Sequence, residues 1–220
     1  MTKTLNRLRA EIDAVDTELI ATLAKRTNLV AEVANAKAPG SAIFRPGREA
    51  DLQVSLSRRS PNESQKLIAP VWRPLLRASI ASQKPDFTVA FLPDAQTAAE
   101  IFSAGFLTLT SINTAQDGLD RLKAATVDIC FMSYDAVLSL GDQLGPETGI
   151  YVVSKEDDWY LLAAGLPDPS ERDVTIFAHK ADRKKDDGHI EFVERSGYFE
   201  TVSEDMPDAH IIGIYQILKP

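Results

Sequence analysis

The stretch from Leu5 to Lys37 constrains this chain more than any other. Apolar residues recur at Leu5, Leu8, Ile12, Val15 and Leu19, then at Leu23, Val30 and Val33, the spacing of a helix that buries one face. Nothing breaks the pattern before Pro39-Gly40, a stop signal. At about 1.5 Å per residue the helix runs roughly 50 Å. One short chain folded over it does not cover that length, so a partner helix is the natural cover. Arg26 falls in register with Leu5, Ile12 and Leu19, where an apolar residue belongs, and Lys37, about three turns on, projects from nearly the same face. Buried cations without partners are costly, and a bound anion would remove that cost. Arg9 lies about 25 Å along the axis from Arg26 and about 100° round it. It reads either as a solvated arginine near a helix start or, in an antiparallel dimer, as a group reaching the Arg26 neighbourhood of the second chain.

The net charge of -8 conceals a division: residues 1–86 carry 14 Lys and Arg against 9 Asp and Glu, whereas residues 87–220 carry 10 against 23. An acidic body argues against non-specific nucleic-acid binding, which phosphate neutralisation dominates. A modestly basic helical part suits a small anion. Two domains are expected, an all-helical one over 1–86 and an α/β one over 87–220. Hydrophobic and charged fractions of 44% and 25% are ordinary for a soluble globular protein. No apolar run approaches the ~20 residues of a membrane span, and the first residues lack a signal-peptide core, so a cytoplasmic protein without membrane contact is expected. Cys130 reads as a reduced, buried structural residue. His179, His189 and His210 are scattered without ligand spacing, so no metal is expected.

Pro46 suits the first turn of a helix, which places a short helix over about Pro46–Leu56 with Arg48 and Glu49 in its first turns. Ser60-Pro61-Asn62-Glu63 reads as a capping box. It opens a third helix that runs to about Gln83 on a stripe of Leu67, Val71, Trp72, Leu75, Leu76 and Ile80. Pro70 and Pro74 are expected to bend or divide it. Ser79 and Gln83 share a face and continue the line from Trp72 and Leu76, either as satisfied core groups or as ligand contacts. Lys84-Pro85-Asp86 marks the domain boundary. Beyond it Phe87, Val89 and Phe91 alternate as a strand, and a helix begins near Asp94. Phe106–Ile112 reads as a strand, Thr114–Ala125 as a helix with Leu119 and Leu122 inward, and Val127–Met132 as a strand covered on both faces. Tyr134–Leu144 as helix and Ile150–Val153 as strand complete an alternation that argues an α/β layer. Val174–Ala178 and Ile211–Leu218 read as strands, Ile190–Phe199 is ambiguous, and Ala181–Gly188 reads as a solvated loop.

The helical part contains Leu8-Arg9-Ala10-Glu11-Ile12-Asp13-Ala14-Val15-Asp16, then Leu23-Ala24-Lys25-Arg26, then Val33-Ala34-Asn35-Ala36-Lys37. Arg45-Pro46-Gly47-Arg48-Glu49 and Ser79-Ile80-Ala81-Ser82-Gln83 follow. In order and spacing these five pieces resemble the all-helical chorismate mutases, a domain found alone or fused to prephenate dehydratase. The resemblance implies a three-helix domain in an intertwined homodimer. It also implies a cofactor-free pericyclic rearrangement of chorismate to prephenate in phenylalanine and tyrosine biosynthesis. Such an enzyme holds the compact reactive conformer and stabilises negative charge on the breaking ether oxygen. By the resemblance, Arg26 holds one carboxylate and Arg9 of the partner subunit the other. Lys37 and Gln83 hydrogen-bond the ether oxygen, Glu49 takes the ring hydroxyl with help from the backbone near Arg48, and Arg48 and Ser79 assist at the carboxylate side. Two departures stand out: many relatives have an acidic residue where Arg45 stands, and Pro74 is unusual in the third helix. Isochorismate pyruvate-lyase, a near relative in the same fold, uses a similar anion pocket. A catalytically silent ligand sensor is the reading from another class.

Thr88-Val89-Ala90-Phe91-Leu92 looks like the opening strand of a prephenate dehydratase domain, and there the likeness stops. Pro93-Asp94-Ala95-Gln96-Thr97 replaces the Gly-Pro-x-Gly-Thr turn, and the Thr-Arg-Phe and Glu-Ser-Arg-Pro motifs of that family are absent. The second part is therefore expected to be a degenerate or unrelated α/β domain, accessory or regulatory, without dehydratase chemistry.

Overall fold

The first helix, α1 (Leu5–Ala36), is unbroken, and the Lys37 N–H closes its end on the Val33 carbonyl at 3.2 Å. The computed structural model describes residues 4–38, 40–59, 65–180, 190–202, 206 and 208–217. The capping box at 60–63 and the loop at 181–188 fall outside these residues. No residue of α1 is buried within one chain, and its stripe faces outward, with Ile12 59% and Leu19 54% exposed. After α1 come α2 (Pro46–Arg59) and α3 (Gln65–Gln83). Pro70 and Pro74 do not divide α3. They lie four apart on one face, so the missing backbone donors are confined to one side of the helix.

The rest builds one eight-stranded mixed sheet. Its strands are β1 (Thr88–Phe91), β2 (Thr108–Ser111), β3 (Ile129–Ser133), β4 (Ile150–Glu156), β5 (Trp159–Ala164), β6 (Asp173–Lys180), β7 (Ile190–Ser196) and β8 (His210–Gln216). The order is β2-β1-β3-β5-β4-β8-β6-β7. β1 pairs in parallel with both β2 and β3, across α4 (Gln96–Ser103) and α5 (Ala115–Lys123). A further helix, α6 (Tyr134–Leu140), follows β3. From β5 onward the pairing is antiparallel, except for β4 with β8.

Side chains of the central strands alternate between two cores. Ala90, Cys130 and Met132 face α5 and α6, together with Leu119, Leu122 and Val137. Val89, Phe91, Ile129 and Phe131 face Ala99 and Phe102 of α4, and Ile80 of α3 joins this second core. Burial pushes the Cys130 thiol up to about 12, so it stays protonated and unreactive. The start of α5 is fixed by Thr114, whose Oγ1 accepts from the Asp117 N–H at 3.1 Å. Asp128 is the polar residue of the Val127–Met132 stretch. One oxygen accepts from the Thr88 N–H at 2.8 Å and the other from Lys84 Nζ at 2.7 Å, pinning the passage from α3 to β1.

Sequence periodicity did not locate β5. Its residues Trp159-Tyr160-Leu161-Leu162 are nearly continuously apolar, because the two cores of the sheet cover its two faces. The turn from β4 is made by Asp157-Asp158, with Asp157 at φ 53, a conformation aspartate tolerates better than most residues.

Gly213 on β8 marks the tightest approach in the sheet. A Cβ there would strike the Val152 side chain and carbonyl and stand 2.8 Å from its Cα, at the one register position that joins β4 to β8. We expect Gly213→Ala to destabilise the protein by about 3 kcal/mol or more, because backbone cannot yield as a flexible side chain does. Urea unfolding measures it, and a loss below about 1 kcal/mol would contradict this packing.

Candidate active site

The helix α3 presents different chemistry on opposite sides. Leu75, Ser79 and Gln83 follow one another at four-residue intervals, whereas Arg73, Arg77 and Ile80 lie about 100–160° round the axis from Ser79, the middle of that row. The first row meets α1. Arg26 Nη1 donates to Ser79 Oγ at 2.8 Å and to the Leu75 carbonyl at 3.3 Å. Ser79 Oγ donates to the same carbonyl at 2.7 Å. Lys37 Nζ donates to Gln83 Oε1 at 3.1 Å and to the Ala42 carbonyl at 3.0 Å. Gln83 Nε2 donates to the Ser79 carbonyl at 2.9 Å. Thus α1 and α3 bring Arg26, Lys37, Ser79 and Gln83 into one hydrogen-bonded row.

Every acceptor in that row is neutral. Among the described residues no carboxylate forms an ion pair with Arg26 or Lys37. Both side chains are half-buried, and burial pulls both pKa values down. For Lys37 the field of Arg45 adds to that lowering, and the field of Asp168 opposes it. Two partly desolvated cations with no ion-pair partner among the described residues can accept an anion.

The opposite side of α3 faces the sheet domain. Arg77 is 2% exposed. Its Nη1 donates to both oxygens of Glu49, at 2.7 and 3.0 Å, and its Nε donates to the Phe102 carbonyl at 3.1 Å. Its Cζ lies 3.8 Å from the Phe102 ring centroid and 5.4 Å from that of Phe44. Arg73 pairs with Glu156 at 3.2 Å. Arg73, Arg77, Phe102 and Glu156 border a cavity of about 240 Å³, lined also by Ile101 and Trp159, on the side of α3 that carries Arg77.

Glu49, in the first turn of α2 as expected, is held by its pair with Arg77. The resemblance gave it to a substrate hydroxyl; the structure pairs it with a buried guanidinium, and no described hydrogen bond ties it to Arg26, Lys37, Ser79 or Gln83. The reason is electrostatic, since either partner alone would be a desolvated, uncompensated charge. Arg48 is exposed in the first turn of α2 and Arg9 is exposed near the start of α1; neither meets the Arg26 row within one chain. The expected stripe of α3 is also revised: Ile68, Arg77 and Ile80 are buried, whereas Leu67 and Val71 are exposed. Arg77 escaped the sequence reading, and only its three-residue spacing from Ile80 marked its face. Among the described residues no cluster of His, Cys, Asp or Glu could hold a metal, and no helix is long and apolar enough to cross a membrane.

Residues 8–84 match the family described as chorismate mutase type II. No curated protein matches the chain. Two solved structures overlap part of the chain. One is GqqA, described as a novel type of quorum quenching acylase, with TM-score 0.42, 12% identity, and coverage of 59% of this chain and 95% of that one. The other is prephenate dehydratase from Streptococcus mutans, with TM-score 0.40, 10% identity, and coverage of 59% and 97%. Likenesses this distant assign no chemistry to the present chain.

The Glu49–Arg77 pair carries its own test. Glu49→Ala strands a buried cation, so a stability loss of about 3–5 kcal/mol is expected, read by chemical denaturation. A loss within about 0.5 kcal/mol, the range of an ordinary surface change, would mean that Glu49 does not anchor α2 in this way.

Proposed function

We propose that the chain, whose residues 8–84 match the chorismate mutase type II family, is a chorismate mutase that rearranges chorismate to prephenate without a cofactor. The observation that carries this reading is the pair of half-buried cations, Arg26 and Lys37, whose hydrogen bonds end only on neutral oxygens. Chorismate brings two carboxylates and therefore the missing charge. Within that single molecule one C–O bond breaks and one C–C bond forms, with no nucleophile and no net proton transfer. The protein's task is to hold the compact conformer and stabilise charge on the ether oxygen.

In this reading Arg26 takes one carboxylate, with Ser79 beside it. Lys37 Nζ turns from the Ala42 carbonyl to the ether oxygen. Gln83 Nε2 exchanges the Ser79 carbonyl for the same oxygen, while its Oε1 keeps the ammonium oriented. Gln83 is neutral at every pH, so no acidic optimum is needed to protonate it. Lys37 works as a cation, so activity holds below its lowered pKa and is lost as pH rises through it. Glu49 contributes by holding α2 through Arg77, and Arg48 adds positive charge at the carboxylate side.

The outward stripe of α1 supports a homodimer in which each α1 covers the other. That arrangement brings Arg9 of one chain to the second carboxylate in the site of its partner. A role in phenylalanine and tyrosine biosynthesis, in the cytoplasm, belongs to the same reading.

Loss of chorismate absorbance in purified full-length protein, with the product identified as prephenate, tests the activity. Binding without turnover would make this a ligand-binding domain instead, and release of pyruvate from isochorismate would mark a lyase. Arg26→Ala and Lys37→Ala should each lower kcat/KM by about 100-fold or more with the circular dichroism spectrum unchanged; full activity in both would remove the site assignment. Mixing inactive Arg9→Ala and Lys37→Ala subunits should restore activity in heterodimers that pair one intact site. No recovery after confirmed subunit exchange would refute a shared site.

A further inference from the structure

We infer that Asp168 of the α/β domain is a positioning residue for the Arg26–Lys37 site, acting through Arg45 on the start of α2 and on Lys37. The inference rests on the proposed reading of those cations as the substrate site. It concerns a residue outside the helical domain.

Three observations carry it. Arg45, immediately before α2, donates from Nε to Asp168 Oδ2 at 2.5 Å, across 123 positions of sequence. Gly47, in the first turn of α2, is buried, and a Cβ at that position would run into the Asp168 carbonyl oxygen. The backbone at 168–169 is therefore seated directly on the turn that carries Arg48 and Glu49. Finally, Lys37 Nζ donates to the Ala42 carbonyl, three residues before Arg45, which brings the ammonium to the segment that carries this ion pair, and the fields of Arg45 and Asp168 act on it with opposite signs. The other groups that contact Lys37, Gln83 of α3 and the Ala42 carbonyl, do not titrate.

Arg45 without Asp168 would be a second cation beside Lys37. It would disfavour the ammonium and stand as a rival donor for the substrate's carboxylates. The carboxylate that prevents this comes from the loop between β5 and β6. The second domain thereby sets the charge balance of a site built on the first, while its backbone fixes the height of α2.

Full-length variants and two readouts test this. One readout is the NMR titration of Lys37 in the free protein; the other is the pH profile of kcat and KM with chorismate. Asp168→Asn should move the Lys37 midpoint and the alkaline limb of kcat to lower pH, and Arg45→Gln should move both to higher pH. Asp168→Glu should stay near wild type. At neutral pH, Asp168→Asn should also lower kcat/KM about tenfold or more, as a site displaced by about 1 Å does, with the loss in kcat rather than KM. A merely structural contact would not shift the two titrations in opposite directions. No shift in either folded variant, or shifts of the same sign, would overturn the inference, and one folded variant without a shift suffices. If the wild-type chain does not turn chorismate over, the proposed function fails, and the Lys37 titration alone still decides the role of Asp168.

Discussion

A guanidinium sealed between two domains governs how this chain is put together. Arg77 has almost no contact with water, so its charge must be met on the spot. Glu49 supplies the charge, Phe102 supplies a carbonyl and a ring face, and Phe44 closes the other side. Meeting those demands fixes α2 against α3 and both against the end of α4. Once that side of α3 is locked to the sheet domain, the row Leu75, Ser79 and Gln83 can only face α1. The placement of Ser79 and Gln83 beside Arg26 and Lys37 is thus a consequence of where Arg77 is buried.

The division of charge along the chain has a structural counterpart. Arg45 with Asp168, Arg58 with Glu171, Arg73 with Glu156 and Lys84 with Asp128 all join a cation of the helical part to a carboxylate of the sheet part. Exposed pairs such as Arg58–Glu171 add little stability. Their common direction still brings the acidic domain onto the side of the helical domain that has cations to spare. Arg26 and Lys37 form no ion pair with any of these carboxylates. The field of Asp168 does act on Lys37.

Much of this was legible in the residues. The stripe from Leu5 to Val33 marked α1 to within one residue of its end, because an exposed helix obeys a single periodicity over its whole length. Ser79 and Gln83 were marked by their spacing, and the parallel strands by runs that reappear as β1, β2 and β3. What was hidden depended on contacts distant in sequence. The resemblance marked Glu49 as a ligand contact, and nothing local indicates that Arg77 is buried beside it. Asp168 lies in an unremarkable Pro-Asp-Pro loop, and its importance comes from Gly47 and Arg45, more than a hundred positions away. β5 was missed because burial on both faces erases the alternation by which strands are usually found.

The outward stripe of α1 has a thermodynamic consequence. A helix of 32 residues with nothing buried inside its own chain gains little from tertiary packing, the usual source of helical stability. Association that covers the stripe would make ordering of α1 and pairing of chains a single mass-action equilibrium. Arg26 and Lys37 ride on this helix, so the integrity of the site then follows protein concentration. Dilution would erode specific activity before it unfolded the sheet, whose two cores are complete within each chain.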